Sequence, residues 1–455
     1  MSLRRRAFGI CLLLLLSAGL GGAEPAPVPG QGPSGVPSVV IVPPEAQPGP
    51  AFSVEAATNA YLAQIPPAAT ARSNAYFEGG YWLLLWDFLA GAAIALLLLN
   101  RRWSAKMRGL AERITRFRFL QTMLYWAQYV ALTYVLLFPL AVYEGFFREH
   151  QYGLATHSFG AWLGDEAKGL LVSILLGGLA VALLFAIVRR LTRTWWLWGA
   201  VASLAILVVG ILIGPVFLQP IFNTPKKLND PRITTPILSL ARANGIPVQD
   251  LYEIDASKQT KRMSANVSGF ANTMRITLND NLIRRGAPEE IQAVMGHEMG
   301  HYVLNHIPKM ITFLLIVIVT MFALLRWALD WALARWGEGW QIRGVGDPAV
   351  LPLVVLMTSL FFFVLTPVMN TFIRVQEHEA DLYGVNASRH PDGFALAAIH
   401  LAEYRKMSPT PMEEFLFYDH PSGYHRIHRA MAWKAENLAL FTPAGATAPG
   451  TSGKP

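Results

Sequence analysis

Apolar and polar positions divide this chain into long hydrophobic runs separated by polar stretches. The runs occupy about 80–99, 120–143, 169–188, 195–219, 308–333 and 350–373. Each meets or exceeds the ~20 residues a helix needs to cross the hydrocarbon core of a bilayer. Several carry Trp or Tyr near an end, where aromatic rings favour the membrane interface. Six runs with so few interior charges predict membrane helices rather than buried helices of a large soluble core. Four fall in a first block, 79–219, and two in a second, 308–373. The polar regions between and after them differ: 220–307 mixes helical patterns with a strand-like Met274-Arg275-Ile276-Thr277-Leu278, whereas 374–440 reads as mostly helical.

The termini have their own signatures. In 1–23, Arg4, Arg5 and Arg6 precede an apolar run and a small-residue end, which fits a secretory signal peptide or an uncleaved anchor. Residues 24–78 are expected to form an extramembrane linker: 24–50 is dense in Pro, Gly, Ala and Val with almost no charge, and 51–78 looks weakly helical. The tail, 441–455, is expected to be disordered.

Composition supports the membrane reading. Of 455 residues 53% are hydrophobic and only 15% charged, against roughly 25% charged in soluble domains. The single cysteine, Cys11, excludes an internal disulfide and a cysteine-ligated metal site. A net charge of +8, from 38 Lys and Arg against 30 Asp and Glu, would suggest nucleic acid in a soluble protein. Here ten of the basic residues sit in two short loops: Arg101, Arg102, Lys106, Arg108, Arg113, Arg116 and Arg118 in the first, Arg189, Arg190 and Arg193 in the second. The excess is therefore topology, and no nucleic-acid partner is expected.

Chemistry concentrates in one place. His297-Glu298-Met299-Gly300-His301 is an HExxH motif, and Pro288, Glu289 and Glu290 upstream make a sound helix start. Residues four apart share a helix face, so His297 and His301 can present two imidazoles to one zinc ion. Glu298, about 100° round the helix, can serve as general base towards a zinc-activated water. A third histidine of metzincin type would fall at Ile307; His306 is one residue short, which excludes that subclass. The remaining option is a carboxylate from a second helix. In Arg374-Val375-Gln376-Glu377-His378-Glu379-Ala380-Asp381, Glu377 can bind the metal while Asp381, on the same face, orients a ligand histidine. Glu379 points elsewhere and is the weaker candidate, and His378 reads as a solvated neighbour.

These residues carry a resemblance to the CAAX prenyl protease 1 family of integral-membrane zinc endopeptidases. Segments 144–154, 162–170 and Leu218-Gln219-Pro220-Ile221-Phe222-Asn223 are similar to family motifs, as is the zinc helix from Met295 to His301 with a further histidine at His306. An R-x-x-E-x-x-A-D pattern is met by Arg374, Glu377, Ala380 and Asp381. The resemblance implies a multi-pass helical bundle joined to a gluzincin-like α+β protease domain, with Glu377 as third ligand and Asp381 and Arg374 behind the ligands. It also implies that His420, in His420-Pro421, and Arg426 surround the oxyanion. An edge strand at Ser264, Ala265, Asn266 and Gly269 would hold the substrate backbone; serine stands at 264 where the family pattern has asparagine, which puts a side-chain contact there in doubt.

The two basic loops are expected in the cytoplasm, which puts 220–307 on the opposite, periplasm-like side of a bacterial inner membrane. The resulting expectation is a one-zinc metalloendopeptidase acting on membrane-associated or lipid-modified peptides, with quality control of membrane proteins as its physiological version. A zinc-containing scaffold or chaperone is the rival from another class. A site-2-type intramembrane protease is disfavoured, because 286–306 is polar and precedes the apolar run.

Overall fold

The computed structural model of this chain describes residues 39–268 and 274–441. The segment 1–23, the first part of the expected linker, Gly269 and nearly all of the tail lie outside the described residues. Among the described residues six helices are long and apolar enough to cross a membrane: α2 (Pro67–Asn100), α4 (Arg118–Gln151), α5 (Phe159–Arg190), α6 (Trp195–Ile213), α10 (His306–Trp336) and a last one running Pro348–Ser388. With no water in hydrocarbon, only a segment that satisfies its backbone internally is stable there, and the helix does so. Large apolar side chains such as Trp82, Val135, Trp327 and Val364 are more than half exposed on these helices, as a lipid-facing surface requires. Tyr125, Trp126, Tyr129, Met321 and Phe322 pack inward to form the bundle core.

The last helix, α11 (Leu351–Ser388), extends well beyond the apolar run that ends near 373. The helix continues through Pro367, and no proline or glycine stands between Val368 and Tyr383, so the membrane span and the polar Glu377-to-Asp381 segment belong to one continuous helix about 57 Å in contour. The division expected at 373/374 is a change of environment and not a break in structure.

From Pro44 onwards the expected linker is packed structure, and the helical reading of 51–78 agrees with it. Pro44–Ala46 forms a helical turn, α1 (Val54–Leu62) is capped by the Ser53 side chain, and α2 begins at Pro67. Ala46, Ala57, Tyr61, Ile65 and Ala69 are buried with Val385, Phe394, Ile399, Ile427 and Met431 in one core. Tyr61 donates to Asp392 (2.7 Å), and the buried Lys434 ammonium donates to Ala46 O (2.8 Å) and Asp392 (2.7 Å). Small apolar residues that read as linker by composition here cover the surface of α12 (Pro391–His400) and α13 (Gly423–Glu436).

A four-stranded sheet in the order β1-β2-β4-β3 lies in the polar region. Its strands are β1 (Lys226–Lys227), β2 (Leu251–Ile254), β3 (Ala265–Ser268) and β4 (Arg275–Asn279). β2 and β4 run parallel, with Leu251 opposite Ile276; β3 runs antiparallel to β4, with Ala265 opposite Leu278. Ile276 and Leu278 are fully buried against Ile237 and Ala241 of α7 (Pro231–Ala243) and Ile291, Met295 and Met299 of the HExxH helix, α9 (Pro288–Val303). A short α8 (Asp280–Arg285) joins β4 to α9.

At the far end of the bundle the connecting loops gather. Arg108 of α3 (Trp103–Ile114) pairs with the buried Asp347, Arg343 pairs with Glu112 (2.6 Å), and Arg102 donates to Gly339 O (2.9 Å). Arg189, at the end of α5, lies against Gly346 in the same cluster. Both basic loops therefore lie on the face opposite α9. The loop at 144–168 lies on the α9 side, where Glu149 accepts from Tyr76 and pairs with Arg262 (2.7 Å).

Candidate metal centre

The HExxH helix forms where local sequence favours it. Its start is set by Pro288 in the first turn and by Glu290, whose carboxylate reaches back to the Ala287 N–H (3.2 Å). Buried His400 Nδ1 lies 2.6 Å from the other Glu290 oxygen and pins α12 to this helix start.

What brings the second helix to the first is a seam of small residues. A methyl group built on Gly296 would meet Gly384 O at 2.8 Å, and one on Gly384 would meet the His297 N at 2.6 Å. A methyl group on Gly300 would likewise meet Ala380 Cα at 3.2 Å. Gly296 and Gly300 are four apart on α9, Ala380 and Gly384 four apart on α11, so two flat stripes meet backbone to backbone. That approach carries Glu377 to the two histidines. Sequence reasoning missed this seam, although the two four-residue spacings of small residues were there to be read.

At the crossing, His297, His301 and Glu377 offer ligand atoms that all lie within 4.8 Å of one another. The two histidine Nε2 atoms are 3.2 Å apart, and Glu377 oxygens lie 3.3 Å from His297 Nε2 and 3.7 Å from His301 Nε2. Ligands on a tetrahedral zinc at ~2.0–2.1 Å are roughly 3.3 Å from one another, so the donor set fits the ion in both chemistry and spacing. Each imidazole has its other nitrogen engaged. His297 Nδ1 lies 2.8 Å from Asp381 Oδ1, where sequence reasoning put an orienting carboxylate, and His301 Nδ1 lies 2.8 Å from His306 Nδ1.

The electrostatics are those of a site built round buried carboxylates. Burial alone would lower His297, but Asp381 and Glu377 outweigh it and hold the imidazole up to about 10. Burial, with the neighbouring His297 charge, pushes His301 down to about 4. Burial also pushes the Glu298 carboxyl up to about 7, against the pull of His297, a value suited to accepting and returning a proton near neutrality.

Glu298 lines a cavity of about 210 Å³ together with His297, His420, Arg426, Ser264 and Ala265. His420 Nε2 is 3.2 Å from Glu377 and its Nδ1 is 2.8 Å from Asp419. Each ring nitrogen has a carboxylate within reach, and Arg405 Nη2 also lies 3.4 Å from Nδ1. Arg426 is placed differently from expectation: its Nε (3.0 Å) and an Nη hold both oxygens of Asp381, so it braces the carboxylate behind His297. Arg374 touches none of the three candidate ligands. It donates to Glu414 O (2.8 Å) and Tyr418 O, fixing the loop that delivers His420. Glu379 is turned to His306 and Lys309.

β3 is an edge strand among the described residues and borders the cavity. The Asn279 N–H donates to Ser264 O (2.9 Å) and Asn279 Oδ1 accepts from the Ser264 N–H (3.1 Å), so Ser264 faces β4. By alternation, Ala265 and Val267 turn their backbone groups to the open edge. Asn266 lies opposite Thr277 in the register.

Residues 227–434 match the model of peptidase family M48, and residues 55–224 match that of the CAAX prenyl protease N-terminal region, described as five membrane helices. The two matches together take in nearly all the described chain. The uncharacterized metalloprotease YhfN of Bacillus subtilis is 27% identical over 72% of this chain and 77% of its own length. CAAX prenyl protease 1 of Saccharomyces cerevisiae is 27% identical over 64% of this chain and 67% of its own. In fold, the crystal structure of S. mikatae Ste24p superposes with a TM-score of 0.69 at 22% identity, covering 81% of this chain and 89% of that one. The chain is a multi-pass membrane metalloprotease of peptidase family M48 and belongs to the CAAX prenyl protease family.

Proposed function

We propose that this chain is a zinc-dependent endopeptidase that cleaves membrane-associated or lipid-modified peptides at the α9–α11 crossing. The observation that carries the reading is the close set of three donor atoms, from His297, His301 and Glu377, with Glu298 beside them in the cavity. Zinc bound there supplies a Lewis acid that polarises the scissile carbonyl and acidifies water. Glu298 takes the proton of the attacking water and returns it to the leaving amine. His420 donates to the negative oxygen developing on the substrate. Asp381, braced by Arg426, holds His297 with its Nε2 directed at the centre. The open backbone groups of Ala265 and Val267 pair with an extended substrate, as in strand addition; this asks nothing of the Ser264 side chain.

The experiment is Glu298→Gln in the full-length protein. Zinc content stays at the wild-type level while cleavage of a prenylated reporter peptide falls by roughly 10²–10⁴-fold. Full activity in the variant would sink the mechanism. A zinc-retaining protein with no peptidase activity, even in the wild type, would favour the scaffold reading.

The positive-inside rule, applied to the two basic loops opposite α9, supports a catalytic part on the periplasmic side of a bacterial inner membrane. A reporter fused at residue 280 tests this: one active only in the cytoplasm reverses the orientation.

A further inference from the structure

Each ligand histidine must keep a bare Nε2 towards the metal, which requires the proton to sit on Nδ1. For His297 the requirement is met by Asp381, a carboxylate that only accepts. For His301 the neighbour is a second histidine, whose own proton has to be placed before it can direct anything.

The turn between α9 and α10 makes that neighbour. Asn305 adopts a left-handed conformation, φ 57°, which asparagine tolerates better than most residues. The turn folds His306 back under His301, where it is only 3% exposed. His306 Nε2 lies 3.0 Å from Glu379 Oε2, and the same oxygen accepts from Lys309 Nζ at 2.7 Å. Glu379 is on α11, two residues beyond Glu377, and its side chain is 40% exposed.

The proton positions follow from acceptor chemistry. An ionised Glu379 can only accept, so His306 carries its proton on Nε2. A neutral His306 then has a bare Nδ1, which accepts from His301 Nδ1–H across 2.8 Å. That leaves the His301 Nε2 lone pair facing His297 Nε2 at 3.2 Å and Glu377 at 3.7 Å. The opposite neutral arrangement would aim the His306 Nε2 lone pair at a carboxylate.

We propose that His306 and Glu379 are positioning residues that fix the metal-binding tautomer of His301 through a relay from the protein surface. The inference rests on the metal-centre reading and deepens it. The centre thus has two differently built supports, a direct carboxylate behind His297 and a histidine–carboxylate pair behind His301.

The test is zinc affinity of the full-length, detergent-solubilised protein by chelator competition, beside the melting temperature of the chelated form. His306→Ala weakens zinc binding roughly 10–100-fold, and Glu379→Ala weakens it by a smaller factor. His306→Asn, whose amide oxygen replaces Nδ1 as acceptor, restores most of the loss. His301→Ala serves as the reference for a lost ligand. Wild-type affinity in His306→Ala, or an equal loss in His306→Asn and His306→Ala with unchanged melting, overturns the relay. If His306→Ala does not fold, wild-type affinity in Glu379→Ala overturns it instead. Should His301→Ala also bind zinc as the wild type does, the metal-centre reading falls with it.

Discussion

Glycine brings helices together in two regions of this molecule, with different consequences. In the membrane bundle it receives a ring: Trp126 covers Gly177 of α5, and Phe322 of α10 covers Gly199 of α6. At the metal centre, glycine meets backbone, Gly384 against the His297 N–H and Gly296 against Gly384 O. A ring can tilt to admit a methyl group, whereas two helix backbones must separate. Packing in the bundle is therefore adjustable, while the approach of α9 to α11 sets whether Glu377 reaches the histidines at all.

The largest effect is expected at Asp381, on the rigid side of this contrast. Asp381→Ala leaves the mostly buried Arg426 guanidinium without its partner and removes the support of His297. We expect a loss of roughly 3–5 kcal/mol, read as a lowered melting temperature together with weakened zinc binding. A variant as stable as the wild type would show that Arg426 finds another anchor. Removing the metal should come next: at a free zinc concentration of about 1,000 Kd, binding contributes about 4 kcal/mol to the folded form. Chelation should therefore lower the melting temperature, and the His301→Ala protein should show no such response.

Gly384→Ala tests the difference between the two seams directly. Overpacking of this kind costs about 1–3 kcal/mol, and because it falls on the contact that aligns the ligands, zinc affinity should drop by about tenfold, measured by chelator competition. Gly199→Ala is the matched control, with an expected cost of about 1 kcal/mol, as Phe322 shifts, and unchanged zinc affinity. If Gly199→Ala weakened zinc binding as much as Gly384→Ala does, the two seams would not be independent.

Much of this organisation was legible in the sequence. The membrane runs needed only length and apolarity, because lipid forces each span to satisfy its backbone alone. The pairing of His297 with His301 needed only the period of the helix. Asp381 shares a face with Glu377 for the same reason, and the structure puts it against His297 Nδ1. Other features depended on distant partners. Residues 44–69 look like linker until Phe394, Ile427 and Lys434 are known to lie beneath them. Arg374 and Arg426 carry no sign of their targets; one holds the loop before His420 and the other braces Asp381. Helix period turns Glu379 away from the metal, and the structure agrees, but its target, His306, comes from the turn after α9.

Local pattern thus accounts for everything periodic: the spans, the HExxH helix with its two imidazoles on one face, and the basic loops that mark one side of the membrane. Long-range packing brings Glu377 and the open edge of β3 up to those imidazoles and puts His306 behind His301. Helix periodicity acts between neighbours in the chain, whereas the crossing of α9 and α11 depends on two small-residue stripes far apart in sequence whose fit appears only when their backbones touch.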